Sequence, residues 1–219
     1  MSRLYIVTCS AADVAAHFGA EAPIDLKVPA ETVEALPGLV VFKANGRRRL
    51  RAMDWGFPRQ TREMRERGDP PGRIGLVADP TNRLWEHLVV DPRYRCLIPL
   101  THFANPNGEP GEKTRTWFSV ANQPLVAWAG FCRKIPGYGP VYAGMTMAAN
   151  AAVEPYNDRM PVLLDPHEYD QWLHASIRDV IGFQFRQPLA AERMEILHSD
   201  DLWRSGKLPV SLQPQLALL

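Results

Sequence analysis

Twenty prolines, spread through the chain, limit what it can fold into more than any other feature. Proline removes a backbone donor and fixes φ, so it stops helices and is confined to turns and strand edges. A chain interrupted this often predicts many short elements joined by fixed turns, and it argues against a helix bundle. Between the interruptions lie short runs rich in β-branched and aromatic residues. Leu4–Thr8, Leu39–Phe42, Arg48–Met53, Cys96–Pro99, Thr116–Val120, Leu125–Phe131, Val141–Met147 and Arg193–Leu197 all read as strands. Asn45-Gly46 joins the second and third as a hairpin, and Thr116–Val120, Leu125–Phe131 and Val141–Met147 are expected to form an antiparallel meander.

Helical signals are few. Ser10 is placed to cap a helix over Ala11–Phe18, with Val14 and Phe18 on one face. Thr61–Arg67 can make a helical turn that Gly68-Asp-Pro-Pro-Gly72 stops. Asn82–Val90 is expected as a helix packed through Leu84, Trp85 and Leu88, and Glu168–Leu173 starts another. Trp85, Trp117, Trp128 and Trp172 sit in apolar patterns and read as core. With no internal repeat and no long linker, the expected fold class is α+β, a single domain. It would have an antiparallel, barrel-like mixed β core and short peripheral helices, over residues 1–206, followed by a surface tail at 207–219.

The length suits one sizeable core. No apolar run reaches the roughly 18 residues needed to cross a bilayer, and the amino terminus does not read as a secretory signal. Cys9, Cys96 and Cys132 are too scattered for a disulfide framework or a zinc site. They read as buried thiols in a reducing cytoplasm, and no cofactor or metal is expected. Phosphate-cradling glycine loops, Gly-x-Ser-x-Gly elbows and His-Glu-x-x-His motifs are absent. Net charge is +1, yet ten Lys/Arg face four acids between Lys43 and Arg73. Such a segment can bind phosphates without a basic protein overall. The alternative is a solvated loop with local ion pairs.

Beyond these general features, a succession of motifs is familiar. Arg95-Cys-Leu-Ile-Pro99 is followed by Trp117-Phe-Ser119 and Leu125–Phe131. After Thr146 and Asn150 come Asn157-Asp-Arg-Met-Pro-Val162 and Glu168–Leu173. The series resembles the SOS-response-associated peptidase (SRAP) family, which processes abasic sites in single-stranded DNA during the response to DNA damage. The resemblance covers most of residues 1–200 and implies the same α+β architecture. In that family residue 2 is a cysteine, exposed by loss of Met1, whose α-amine and thiol trap the ring-opened sugar aldehyde as a thiazolidine. A glutamate in the turn after the Arg-Cys-Leu-Ile-Pro strand and a histidine before Asp-Arg-Met-Pro handle protons.

The matching positions here are Ser2, Asn105 and Asn157. A serine amine can still form an imine with an aldehyde, but its hydroxyl needs an activating base. Two amides cannot exchange protons near neutrality. The thiol cross-link and autopeptidase chemistry are therefore expected to be lost, while binding of single-stranded or abasic-site DNA is retained. The alternative reading of Ser2 is a plain residue at the start of the first strand. His102 and Glu109 are the nearby groups that could compensate, although a histidine beside a strand end is more often structural.

The family asparagine ahead of 82–90 matches Asn82 in one register and Leu76 in another. Trp55, in Trp55-Gly-Phe-Pro58, and Arg159 match the family's DNA-holding motifs. Together with Arg48, Arg49, Arg51 and Pro58 they form the expected strand-binding set, a stacking ring beside phosphate-neutralising cations. Alternatively Trp55 belongs to the core and Arg159 pairs with an internal acid. Two further readings compete: a phage-related structural or interaction protein keeping only the fold, and an autoprocessing peptidase.

Overall fold

The computed structural model describes residues 4–213. In chain order the elements are β1 (Leu4–Ile6), α1 (Ala11–Phe18), β2 (Glu31–Val33), β3 (Pro37–Ala44), β4 (Arg47–Trp55) and β5 (Phe57–Arg59). Then come α2 (Arg62–Arg67), β6 (Gly72–Ile74), β7 (Leu76–Val77), α3 (Glu86–Val89), β8 (Arg95–Leu100) and β9 (His102–Asn107). They are followed by β10 (Thr114–Val120), β11 (Val126–Ile135), β12 (Gly139–Ala148), β13 (Arg159–Pro161) and β14 (Leu163–Leu164). The last elements are α4 (Tyr169–Leu173), α5 (Ile177–Phe185) and β15 (Met194–Leu202).

Five strands close into a barrel. β12 pairs in parallel with β4, and the ring continues antiparallel through β3, β8 and β11 back to β12. A second sheet, in the order β15-β10-β9-β1-β2, lies alongside. The expected α+β fold with a barrel-like core is what the chain adopts. The meander is corrected: β11 and β12 form a hairpin, but β10 pairs with β9 and β15 in the other sheet. The 82–90 helix is also shorter than expected. Thr81 and Leu84 amides bond to the Asp79 and Asn82 side chains, which holds that stretch in turns until Glu86.

Local signals explain most of the remaining elements. Ser10 accepts from the Asp13 amide while the Asp13 carboxylate reaches back to Ser10, a capping box at the start of α1. Asn45 and Gly46 both have positive φ, as a two-residue hairpin between twisted strands requires. Ser176 and Asp179 repeat the capping box at α5, which sequence reading missed.

The barrel interior is aromatic. Trp55 is completely buried, with its ring 5.3 Å from Tyr5 and 5.7 Å from Trp128, and stacked on Tyr142 at 6.3 Å. Its indole N–H donates to the Gly75 carbonyl. Tyr5 and Tyr142 share a buried hydrogen bond that ties the second sheet to the barrel. Burial pushes both phenols to higher pKa, so the bond is between neutral hydroxyls. Gly38 sits under it, where an added Cβ would stand 2.1 and 2.2 Å from the two phenol oxygens. Arg95, the first residue of the Arg-Cys-Leu-Ile-Pro motif, is fully buried between the Phe131 and Trp172 rings, at 5.1 and 5.7 Å. It donates to the carbonyls of Leu88, Val89 and Ala175, and its burial lowers its pKa to about 10. Arg95 thus closes the carboxyl end of α3, whose last carbonyls would otherwise lack donors.

Trp55→Ala should cost about 3–5 kcal/mol of folding stability, the usual range for a buried aromatic truncated to Ala. Chemical denaturation would check it. A variant of unchanged midpoint would place the ring outside the core.

Candidate functional site

Asn105 and Asn157 come together from a strand of the second sheet and a turn that follows a barrel strand. β8 leaves the barrel at Leu100, and the buried Thr101 donates through its amide and its hydroxyl to the Ile6 carbonyl. That turn of direction sends the chain into β9, where Asn105 lies opposite Thr116 of β10 and is fully buried. The residue stands within a strand, and the expectation of a turn there is corrected. Asn157 is delivered from the other side, by a compact turn after β12. Asn150 builds that turn by accepting from the Ala152 and Val153 amides, while its own amide group donates to Leu189.

The two amides are oriented by the backbone. The Asn157 side-chain oxygen accepts from the Arg159 amide at 3.2 Å, which leaves its Nδ2 facing Asn105. Asn157 Nδ2 then donates to Asn105 Oδ1 at 3.2 Å. Asn105 Nδ2 is consequently turned away from Asn157, buried, with no acceptor among the described residues. An unpaired buried donor costs about 1–3 kcal/mol, and each such group calls for an explanation such as a ligand.

Around this pair stand residues that sequence reading did not select. Thr116 is directly opposite Asn105, and His198 of β15 is directly opposite Thr116. Thr116 Oγ1 and His198 Nδ1 are 3.2 Å apart. The Tyr156 ring, one residue before Asn157, lies 5.9 Å from the His198 ring and 5.4 Å from Phe118. The pairing of Thr116 with His198 spans 82 positions and has no local signature.

The other expected members are elsewhere or already engaged. Ser2 lies outside the described residues. Arg159 has internal partners, but they are carbonyls and a hydroxyl where an acid was the alternative. Its Nε donates to Thr146 Oγ1, and its Nη2 donates to the Thr146 and Ala78 carbonyls. Gln184 of α5, almost fully buried, donates to the same two carbonyls. Trp55 faces the barrel interior and offers no surface to a base, so its expected role as a stacking platform is corrected. The following Gly56 has φ +111, a value that only glycine adopts without strain.

Pro58 is half-buried in the β5–β6 ribbon opposite Arg73. Arg48 binds the Phe18 carbonyl and Asp170, Arg49 lies 3.8 Å from Glu21, and Arg51 packs over the Phe42 ring. Because β4 runs parallel to β12 with Asp54 beside Val141, Arg48–Arg51 lie toward the opposite strand end from Ala148 and Arg159. The groove of Trp55, Arg159 and the β4 arginines does not assemble.

His102 is excluded as a compensating group by strand alternation, which turns it to the opposite face of β9 from Asn105. Its imidazole contacts Thr101, and burial lowers its pKa. Glu109 is on the exposed loop beyond β9, Asn82 caps its own turn, and Leu76 is buried beside Gly144 of β12. Among the described residues no group of three or more His, Cys, Asp or Glu is gathered to hold a metal, and no helix is long and apolar enough to cross a membrane.

A family model, SOS response associated peptidase (SRAP), matches residues 1–199. The chain belongs to the SRAP family. No curated protein matches it in sequence. Among solved structures, a protein from Bordetella bronchiseptica superposes with a TM-score of 0.75 at 20% identity, over 91% of this chain and 99% of that one. One from Bacteroides thetaiotaomicron gives 0.70 at 16%, over 90% and 91%. A phage-related protein from Bordetella bronchiseptica gives 0.64 at 14%, over 91% and 94%. These likenesses establish a shared SRAP fold.

Within that fold, Asn157 serves both as a turn residue and as the support of Asn105. Asn157→Ala removes the partner of the Arg159 amide and of Asn105 Oδ1 together. It should destabilise the protein by about 1–3 kcal/mol, with Asn157→Asp recovering the Arg159 bond but not the Asn105 one. Thermal unfolding of the two variants would check this. Equal losses would mean that the Asn105 contact contributes nothing.

Proposed function

We propose that this SRAP protein binds abasic-site single-stranded DNA and holds the ring-opened sugar as a reversible imine on the α-amine of Ser2. In this reading Asn105 Nδ2 donates to an oxygen of the bound sugar. The observation that carries the reading is the oriented amide pair, which leaves one buried donor at the family's proton-handling position with no acceptor among the described residues. Family membership supports the DNA substrate and the chemistry of residue 2. Serine at position 2 is small enough for ordinary removal of Met1, and in sequence it lies just ahead of β1, the strand paired with β9.

The reaction differs from that of a cysteine relative in its last step. A primary amine adds to the aldehyde and loses water to give an imine. A neighbouring thiol closes a durable ring on that carbon, whereas a hydroxyl closes an oxazolidine that reopens in water. The protein therefore acts as a temporary holder of the lesion. Contact with the phosphates is modest, because Arg47, Arg48 and Arg49 are committed to Glu21 and Asp170. Those same ion pairs, with the burial of Trp55, favour the competing reading of a phage-related protein that keeps only the fold.

Incubation with an abasic-site oligonucleotide should give no heat-stable adduct, while hydride reduction should capture one amine-linked product. Ser2→Cys should introduce a stable cross-link, formed about 10²–10⁴-fold more slowly than in a relative with both proton-transfer residues. Absence of any trapped product from either form would support the fold-only reading. A heat-stable adduct of the unmodified protein would point to another nucleophile.

Binding of the same strand, measured by anisotropy, should be weak and should fall only shallowly with salt, since few cations are free to neutralise phosphates. Salt-independent binding would contradict an electrostatic contact.

A further inference from the structure

We propose that His198 is the proton-transfer partner of this site, acting on the bound oxygen through the hydroxyl of Thr116. The inference rests on the reading above and supplies what the two amides lack. Asn105, Thr116 and His198 form one cross-strand row on β9, β10 and β15. Directly opposed residues point to the same face, with Cβ atoms about 4.5–5.5 Å apart. An oxygen that accepts from Asn105 Nδ2 therefore lies within reach of Thr116 Oγ1, and Thr116 Oγ1 already contacts His198 Nδ1 at 3.2 Å. The row passes from a fully buried amide, through a fully buried hydroxyl, to an exposed imidazole. The Tyr156 ring flanks that imidazole, and Tyr156 is covalently joined to Asn157, which closes the circle back to Asn105.

Each member has a distinct chemical part. The amide can only donate or accept a hydrogen bond. A hydroxyl can accept a proton on one side while giving one on the other, and imidazole exchanges protons near neutrality. Addition of the amine to the aldehyde leaves a carbinolamine whose oxygen must depart as water. In that step the imidazolium Nδ1–H gives its proton to Thr116 Oγ1 while the Thr116 O–H proton passes to the carbinolamine oxygen. The C–O bond breaks, water leaves, and the nitrogen lone pair forms the C=N bond of the iminium. Hydrolysis runs the same transfers backwards and returns the proton to His198. Since His198 acts through Thr116, it is a positioning and relay residue and does not itself touch the substrate.

The test is the rate at which hydride-trappable product accumulates on an abasic-site single strand. His198→Ala should slow it by about 10²-fold, at the low end for a lost proton-transfer group. Free imidazole should restore part of the rate, because the vacated position is open to solvent. Thr116→Val should slow it similarly, and imidazole should not rescue the His198→Ala/Thr116→Val double variant. Trapping by His198→Ala at the parental rate, or a loss that imidazole leaves unchanged in a variant of unchanged melting temperature, would overturn the relay while leaving the imine reading intact. No product from the parental protein would overturn both.

Discussion

The parallel pairing of β12 with β4, opposite its antiparallel pairing with β11, is the constraint on which the rest of the structure depends. It closes the barrel and packs Trp55, Trp128 and Tyr142 into its interior. It also carries β12 onward to Thr146 and the Asn150 turn. That continuation sets Asn157 against a strand of the other sheet. Tyr5 and Tyr142 join the two sheets through a buried hydrogen bond, and Asn105 and Asn157 join them again through their amides. The candidate site is therefore a seam between two sheets, and its geometry follows from how the barrel closes.

Much of the fold was legible because its signals are local. The capping box at Ser10, the hairpin at Asn45-Gly46 and the stop at Gly68 each state their structure within four residues. The apolar run Cys96–Pro99 is buried throughout, as its composition implies. Long-range pairing was not legible. Nothing near Thr116 announces that its neighbours are Asn105 and His198, and nothing in the spacing of three strands separates a meander from a hairpin plus a strand in another sheet. Short strands such as β2, β13 and β14 were missed for the same reason, since pairing rather than propensity makes them strands.

At the site the motif resemblance located what residue chemistry alone could not. Asn105 and Asn157 are 52 positions apart and adjacent in space. The same resemblance misled at Trp55, and the local charge excess misled at Arg48–Arg51. A tryptophan beside arginines in sequence reads as a strand-binding surface, but strand alternation turns the indole into the barrel, while Arg48 and Arg49 go to Asp170 and Glu21 and Arg51 packs over Phe42. Gln184 and Arg159 show the converse. Both converge on the carbonyls of Thr146 and Ala78, an arrangement that holds β12, α5 and the segment after β7 together from inside.

The central claim is that the unpaired Asn105 amide is kept for an oxygen of a sugar held at the amino terminus. The most direct measurement is a crystal structure of the hydride-reduced complex with an abasic-site single strand. The account predicts a C–N bond from the Ser2 α-amine to the sugar carbon, with a sugar oxygen about 3 Å from Asn105 Nδ2. A bond to a lysine side chain, or a sugar whose oxygens all lie away from Asn105, would contradict it.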